Sequence, residues 1–249
     1  MLKAVTFDWW HTIAEPHRYD PVQGDVRSWE AFAKEARVQG IAAVLRQHHV
    51  VAAVDLGAAY DAWEVTLREV WGTGQDLTAS EQLLELLEAL GVGDGADPSL
   101  LADLEEPIGS PLLLKPPHVH EDFAEVAREL HRRGLQVGLI SNTGRTWGRF
   151  LRRIQEEAGI LDLFDATVFS DEVRRRKPAP EIFTAALEAL RVEPAHTVHV
   201  GDDAEADIRG AQDLGMRAVH CDHGRRLECD FADARIHGFR ELLGVIARW

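Results

Sequence analysis

Short apolar runs that end in a polar residue and lead into a helix-length segment recur through the second half of this chain. This rhythm constrains the fold more than any other feature. Gln136-Val-Gly-Leu-Ile140 runs into Ser141-Asn142, and Thr197-Val-His-Val200 runs into Gly201-Asp202-Asp203. Two more strands are expected at Ala166–Phe169 and Arg217–His220, with helices near Thr146–Glu157, Pro180–Leu190 and Ala206–Leu214. Glu121–Arg133 carries Phe123, Val126, Ala127 and Leu130 at helical spacing and stops at Gly134. At the other end of the chain, Ala4–Phe7 reads as a buried strand that ends in Asp8. Strands and helices alternating at these lengths predict a parallel sheet with crossover helices, an α/β doubly wound fold.

Between Pro16 and Pro111 the rhythm stops. Helical patterns appear around Trp29–Val38, Val51–Trp71, Ser80–Leu90 and Ser99–Leu104, with little that reads as strand. Thr78-Ala-Ser-Glu81 has the form of a capping box. Proline-containing connections flank the stretch, Glu15-Pro16 to Asp20-Pro21 before it and Pro107 to Pro117 after it. The expected organisation is a core formed by residues 1–14 and 111–249, with residues 15–110 as an all-helical insert.

A chain of 249 residues buries a core large enough to fold without disulfides or a structural metal. Its 27 basic residues are outnumbered by 42 acidic ones, giving a net charge of −15 that argues against nucleic-acid binding. Two cysteines, Cys221 and Cys229, make no disulfide framework. No run reaches the length of a membrane span, and the N-terminal residues have no signal-peptide pattern. These features place the expected protein in the cytoplasm, away from membranes.

In an open parallel sheet, sites form at the carboxyl ends of the strands. Asp8, Ser141-Asn142 and Asp202-Asp203 stand at three such ends, Asp207 follows, and Lys177 lies in the Arg174–Pro178 loop. Clustered carboxylates suit a hard cation such as Mg²⁺, and a lysine beside them neutralises the oxygens of a phosphoryl group.

Phe7-Asp8-Trp9-Trp10-His11-Thr12, Ser141-Asn142, Lys177-Pro178 and Gly201-Asp202-Asp203-Ala-Glu-Ala-Asp207 resemble, in order, the four motifs of the haloacid dehalogenase-like (HAD) superfamily. The insert after the first strand resembles that superfamily's helical C1-type cap. The resemblance implies a hydrolase that acts on a small phosphorylated metabolite with Mg²⁺ as cofactor. Asp8 is then the nucleophile that forms an aspartyl-phosphate, Ser141 and the Asn142 backbone hold a phosphoryl oxygen, and Lys177 offsets charge between them. The metal falls to Asp8, the Trp10 carbonyl and Asp202, with Asp203 or Asp207 in support.

One position departs from the pattern. Phosphatases of the superfamily usually carry a second aspartate two residues after the nucleophile, as general acid and base, and here that position is Trp10. His11 as a substitute, a cap residue, substrates with good leaving groups, and a catalytically feeble metal-binding scaffold all remain open. A dehalogenase needs no metal signature, and a phosphonatase needs a cap lysine, for which Lys34 is the candidate. Blander roles compete at other residues. Asp203 can simply cap a helix, Arg174–Arg176 can be solvated, and Arg145 can touch substrate or sit on the surface. Trp63, Leu67 and Trp71 are expected to pack in a core. His220, Cys221, His223 and Cys229 match no zinc spacing.

Overall fold

The computed structural model describes residues 1–15, 29–92, 97–225 and 228–249. The Pro16–Pro21 connection lies outside the described residues. Strand β1 (Ala4–Phe7) is buried along its whole length and is followed by a short β2 (Ala14–Glu15). Four helices come next, α1 (Trp29–Gln47), α2 (Leu56–Gly72), α3 (Ala79–Ala89) and α4 (Pro98–Gly109). A turn of helix α5 (Pro111–Leu114) leads to β3 (His118–Val119), which pairs antiparallel with β2. That ribbon returns the chain to the end of β1, so the insert leaves and re-enters the core at one place.

The remaining elements are α6 (Phe123–Arg132), β4 (Gln136–Ser141), α7 (Gly148–Glu157), β5 (Ala166–Phe169), α8 (Ser170–Val173) and α9 (Pro180–Leu190). They are followed by β6 (Thr197–Gly201), α10 (Gly210–Asp213), β7 (Arg217–Cys221), β8 (Ala234–Ile236) and α11 (Phe239–Ile246). Six strands form one parallel sheet in the order β5-β4-β1-β6-β7-β8. The chain passes from β1 to β4 and β5 on one side and then to β6, β7 and β8 on the other. The strand order thus reverses around β1, where a doubly wound sheet opens its crevice.

One apolar layer, built on Phe7, Phe123, Val126, Leu130 and Phe239, covers one face of the sheet, and Ile140, Ile182, Phe183 and Ile208 belong to a second. A third core lies within the insert, where Trp63, Leu67, Leu83 and Leu104 pack together with Trp147 and Phe150 of the α7 region. Trp63 and Leu67 are core residues, as their spacing predicts. Trp71 is only partly buried. The capping box forms as read, with the Thr78 N–H donating to Glu81 and the Glu81 N–H donating to the Thr78 hydroxyl.

The insert corrects the expectation in two places. Helix α1 continues through Gly40 to Gln47, and α4 continues through Pro107 to Gly109. The two features share a cause. A Cβ on Gly40 would lie 2.3 Å from the Pro107 Cβ, so the missing side chain lets the proline pack against α1. At the far end of the sheet, β8 and α11 extend the core beyond the elements read from the sequence. Among the described residues, no helix is long and apolar enough to cross a membrane.

Candidate active site

Register alone brings the first carboxylate between two neighbours. Phe7 pairs with Leu139 on one side and Val200 on the other, so Asp8 stands level with Ile140 and Gly201. Its N–H donates to the Val200 carbonyl at 2.9 Å. After β6 the chain makes a wide turn in which both the Asp207 and Ile208 N–H groups reach the Asp203 carbonyl, at 3.0 and 3.2 Å. That turn folds Asp207 back over Gly201. A Cβ on Gly201 would meet the Asp207 Cγ at 2.2 Å, so the glycine of Gly201-Asp202-Asp203 is needed for the carboxylate to reach the site.

Lys177 joins these groups. Its buried ammonium donates to Asp8 Oδ1 at 2.5 Å, Asp207 Oδ1 at 2.6 Å and the Ile140 carbonyl at 2.9 Å, which uses all three of its protons. The Asn142 side chain holds the lysine's own backbone. Its Nδ2 donates to the Lys177 carbonyl at 3.1 Å and its Oδ1 accepts the Lys177 N–H at 2.8 Å. Ser141 is fully buried at the end of β4, with its hydroxyl donating to the Asn142 carbonyl at 3.3 Å.

Behind Asp207 lies a relay that the sequence reading missed. His199 Nε2 is 3.2 Å from Asp207 Oδ1 and His199 Nδ1 is 2.9 Å from the Thr6 hydroxyl. A carboxylate only accepts, so the proton belongs on Nε2 and the Thr6 hydroxyl donates to Nδ1. Burial lowers the His199 pKa and keeps the ring neutral. Arg225 was missed as well. Its guanidinium donates to Asp202 Oδ2 at 3.3 Å and to the His11 carbonyl at 2.6 Å, tying the loop after β1 to the end of β6. Thr12 adds a 3.4 Å hydrogen bond to the other Asp202 oxygen.

Asp8, Asp202 and Asp207 each offer a carboxylate oxygen within 4.8 Å of the others. Burial and the neighbouring carboxylates push Asp8 up to about 7 against the pull of Lys177. Burial and Asp207 push Asp202 up to about 7 as well. Burial acts on Asp207 in the same direction, but Lys177 and His199 outweigh it and hold this carboxyl below the usual range. Three carboxylates, Asp8 and Asp207 buried and Asp202 partly so, with one lysine among them are an excess of negative charge in a small volume. An all-oxygen donor set of this kind fits a hard divalent cation.

Other residues singled out in the sequence stand elsewhere. The Asp203 carboxylate accepts the N–H groups of Glu205 and Ala206, at 2.9 and 2.8 Å, and caps the turn; it is not among the clustered acids. His11 has a left-handed backbone (φ 61°), and its half-exposed ring pairs with Glu15 at 3.0 Å. Lys34 sits on α1 paired with Asp61. His220 bonds the Asp202 carbonyl and Cys221 contacts His223, and neither belongs to a metal-ligating group among the described residues.

The arginine run is not merely solvated. Arg174 pairs with Glu81 and Arg175 with Glu181, whereas Arg176 is largely buried on Asp76 at 2.7 Å and lies over the Trp71 ring. Trp10 packs edge-on against Trp9 and Trp29, its ring centroid 5.6 Å from that of Trp29.

The haloacid dehalogenase-like hydrolase family matches residues 2–215. The chain is 30% identical over 195 residues to haloacid dehalogenase-like hydrolase domain-containing protein 3 of Bos taurus, across 75% of this chain and 72% of that protein. It is 33% identical to a glyceraldehyde 3-phosphate phosphatase of Methanopyrus kandleri across 53% of this chain, a match that spans only 57% of the relative. The fold matches a crystal structure of 2-haloacid dehalogenase from Pseudomonas syringae, with a TM-score of 0.69, full coverage of both chains and 23% identity. The chain therefore belongs to the haloacid dehalogenase-like hydrolase family.

Proposed function

We propose that this hydrolase is a Mg²⁺-dependent phosphatase that acts on a small phosphorylated metabolite through an aspartyl-phosphate on Asp8. The observation that carries the reading is the Lys177 ammonium bridging Asp8 and Asp207 at 2.5 and 2.6 Å, with Asp202 beside them. Relatives named as phosphatases support it, among them a phosphoserine phosphatase of Thermus thermophilus that is 37% identical over 120 residues, across 46% of this chain and 45% of that protein.

Asp8, Asp202 and the Trp10 carbonyl would hold the cation, with Asp207 in support. When bound, it supplies positive charge that draws the phosphoryl oxygens in and lessens their repulsion of the nucleophile. Asp8 then attacks phosphorus in line, and the P–O bond to the leaving group breaks as the new bond forms. Lys177 stays protonated, because Asp207 and Asp8 outweigh the effect of burial, and it neutralises the phosphoryl oxygen facing it. Ser141 and the Asn142 backbone would hold a further oxygen. Hydrolysis of the acyl phosphate regenerates Asp8. The helical insert acts as the cap over this end of the sheet and limits water.

Asp8→Asn is expected to abolish release of phosphate from acetyl phosphate and p-nitrophenyl phosphate, and so is removal of Mg²⁺ by EDTA. Turnover that survives either change would exclude the mechanism. Trp10 favours a second reading, a metal-binding protein with little turnover. Mg²⁺ binding by calorimetry with no hydrolysis of alkyl, aryl or acyl phosphates would select it.

A further inference from the structure

A cavity of about 150 Å³ opens between α1 and the loop after β4, lined by Trp10, Trp29, Arg37, Gly144, Arg145 and Thr146 among others. Trp10 lies two residues beyond Asp8 and Gly144 two beyond Asn142, so the cavity adjoins the catalytic end of the sheet. Its wall contains a buried charge with no ion-pair partner among the described residues. Arg37 is only 4% exposed; Nε donates to the Ile108 carbonyl at 2.8 Å and Nη2 to the Thr146 hydroxyl at 3.1 Å. Both partners are neutral, and no carboxylate among the described residues pairs with this guanidinium. A buried charge left uncompensated is costly, and an anion in the cavity would relieve it.

Arg145 lines the same space. One end of its guanidinium pairs with Glu64 at 3.2 Å, while Nε is buried with no hydrogen-bond partner. Burial, with repulsion from Arg145, holds Arg37 below the ordinary guanidinium value against the opposing pull of Tyr60 and Glu64. Glu30 is the acid on the lining, and it is exposed. Two guanidiniums thus share a small cavity in a chain whose net charge is −15.

We propose that this cavity receives a carboxylate carried by the phosphorylated substrate, held by Arg37 and Arg145, so that the substrates are small phosphorylated carboxylic acids. The proposal rests on the phosphatase reading for the role of Asp8. Guanidinium groups match carboxylates through paired N–H donors. At roughly 30 Å³ for one water, the cavity has room for about five waters, enough to seat a carboxylate and a carbon or two.

The test uses the full chain with Mg²⁺ and two esters of equal carbon number, 2-phosphoglycolate and ethyl phosphate. The expected preference in kcat/KM for the carboxylate is ~10- to 100-fold, the range of hydrogen bonds to charged groups. Arg37→Met is expected to bring the ratio close to one, Arg145→Gln to lower it, and Arg37→Lys to keep part of it. The carboxylate's inductive effect on the leaving group is the same in every variant, so the fall in the ratio reports the arginine. An activity-free readout is glycolate alone, titrated against tryptophan fluorescence. Saturable quenching is expected in the wild type and not in Arg37→Met.

A wild-type ratio near one, a ratio unchanged in both variants, or a preference for 1,2-ethanediol bisphosphate over phosphoglycolate would overturn the proposal. Should Arg37→Met fail to fold, the wild-type ratio and Arg145→Gln decide. Arginine-dependent glycolate binding with no ester turned over would refute the phosphatase reading and spare the subsite. Equal turnover of both esters with no glycolate binding would do the reverse.

Discussion

A carboxylate that expels an alkoxide needs a proton delivered to the leaving oxygen, and the side chain two residues beyond Asp8 is an indole packed between Trp9 and Trp29. His11 does not fill the gap in this conformation, since its ring is engaged with Glu15. Trp10→Asp is therefore expected to raise turnover of ethyl phosphate by up to ~10²–10⁴-fold, the usual contribution of a positioned acid. Acetyl phosphate, whose leaving group needs little help, should gain far less. Equal gains on both esters, or none, would refute this account. A second residue-scale prediction concerns His120, whose ring stacks on His223 at 3.6 Å between centroids. Burial and His223 hold His120 down to about 4, below the ordinary 6.5. The unfolded chain takes up this proton first as pH falls. The stabilising contribution is therefore complete above about pH 6.5 and is lost between there and pH 4. For a half-buried ring the loss is ~1–2 kcal/mol. His120→Phe should flatten the pH dependence of the urea midpoint by that amount, and an unchanged slope would count against it. Asp8, Lys177, Asp202 and Asp207 could be read from the sequence because each follows a strand end or a short motif. His199, Arg225 and Asp76 could not, because they act through contacts between segments far apart in the chain. The one available signal was a histidine inside the apolar Thr197–Val200 run.

Helix boundaries in the insert depend on one close contact more than on propensity. Gly40 lies inside α1 and Pro107 inside α4, and each would ordinarily argue for ending its helix. The two residues compensate for one another across the interface, a relation that no single-helix pattern contains. On an exposed helix Gly→Ala gains about 1 kcal/mol. Here the new Cβ would stand 2.3 Å from the Pro107 Cβ, and the helices must separate. Overpacking of this kind costs ~1–3 kcal/mol, so Gly40→Ala is expected to destabilise on balance. Chemical denaturation checks the sign, and a higher midpoint would show that α1 and α4 can move apart freely. The α/β elements of the core were easier to read, because each strand is a short, mostly apolar run and each crossover helix has an apolar stripe. Strand β8 has only three residues and α11 packs on it, so both follow from the completed sheet more than from local pattern.

At the scale of the whole molecule, contacts from several of its helices fasten the insert to the core, which restricts how it can act as a cap. Trp147 and Phe150, from the core, belong to the insert's own apolar cluster, and a Cβ on Gly109 would collide with Phe150 at 2.0 Å. Beside them, Asp76 accepts from Trp71, Ser170 and Arg176, and the Arg176 N–H donates to the Gly74 carbonyl. Arg176 also reaches the Thr143 carbonyl, one residue beyond Asn142, so the fastening ends at the loop that positions Lys177. A cap hinged here would keep α2 and α3 fixed on the core, and α1 is tied down as well, by Arg37 on the Thr146 hydroxyl and by Trp29 on the Lys115 carbonyl. Removing one partner of a buried pair leaves the other uncompensated and costs ~3–5 kcal/mol. Asp76→Leu is therefore expected to lower stability by about that much, and Arg176→Met alone by a comparable amount. The double variant should recover most of the loss, because neither charge remains buried alone. Urea unfolding of the four proteins measures the coupling. If the single losses simply add, the pair does not fasten the insert, and the hinge has to be sought at the β2–β3 ribbon instead.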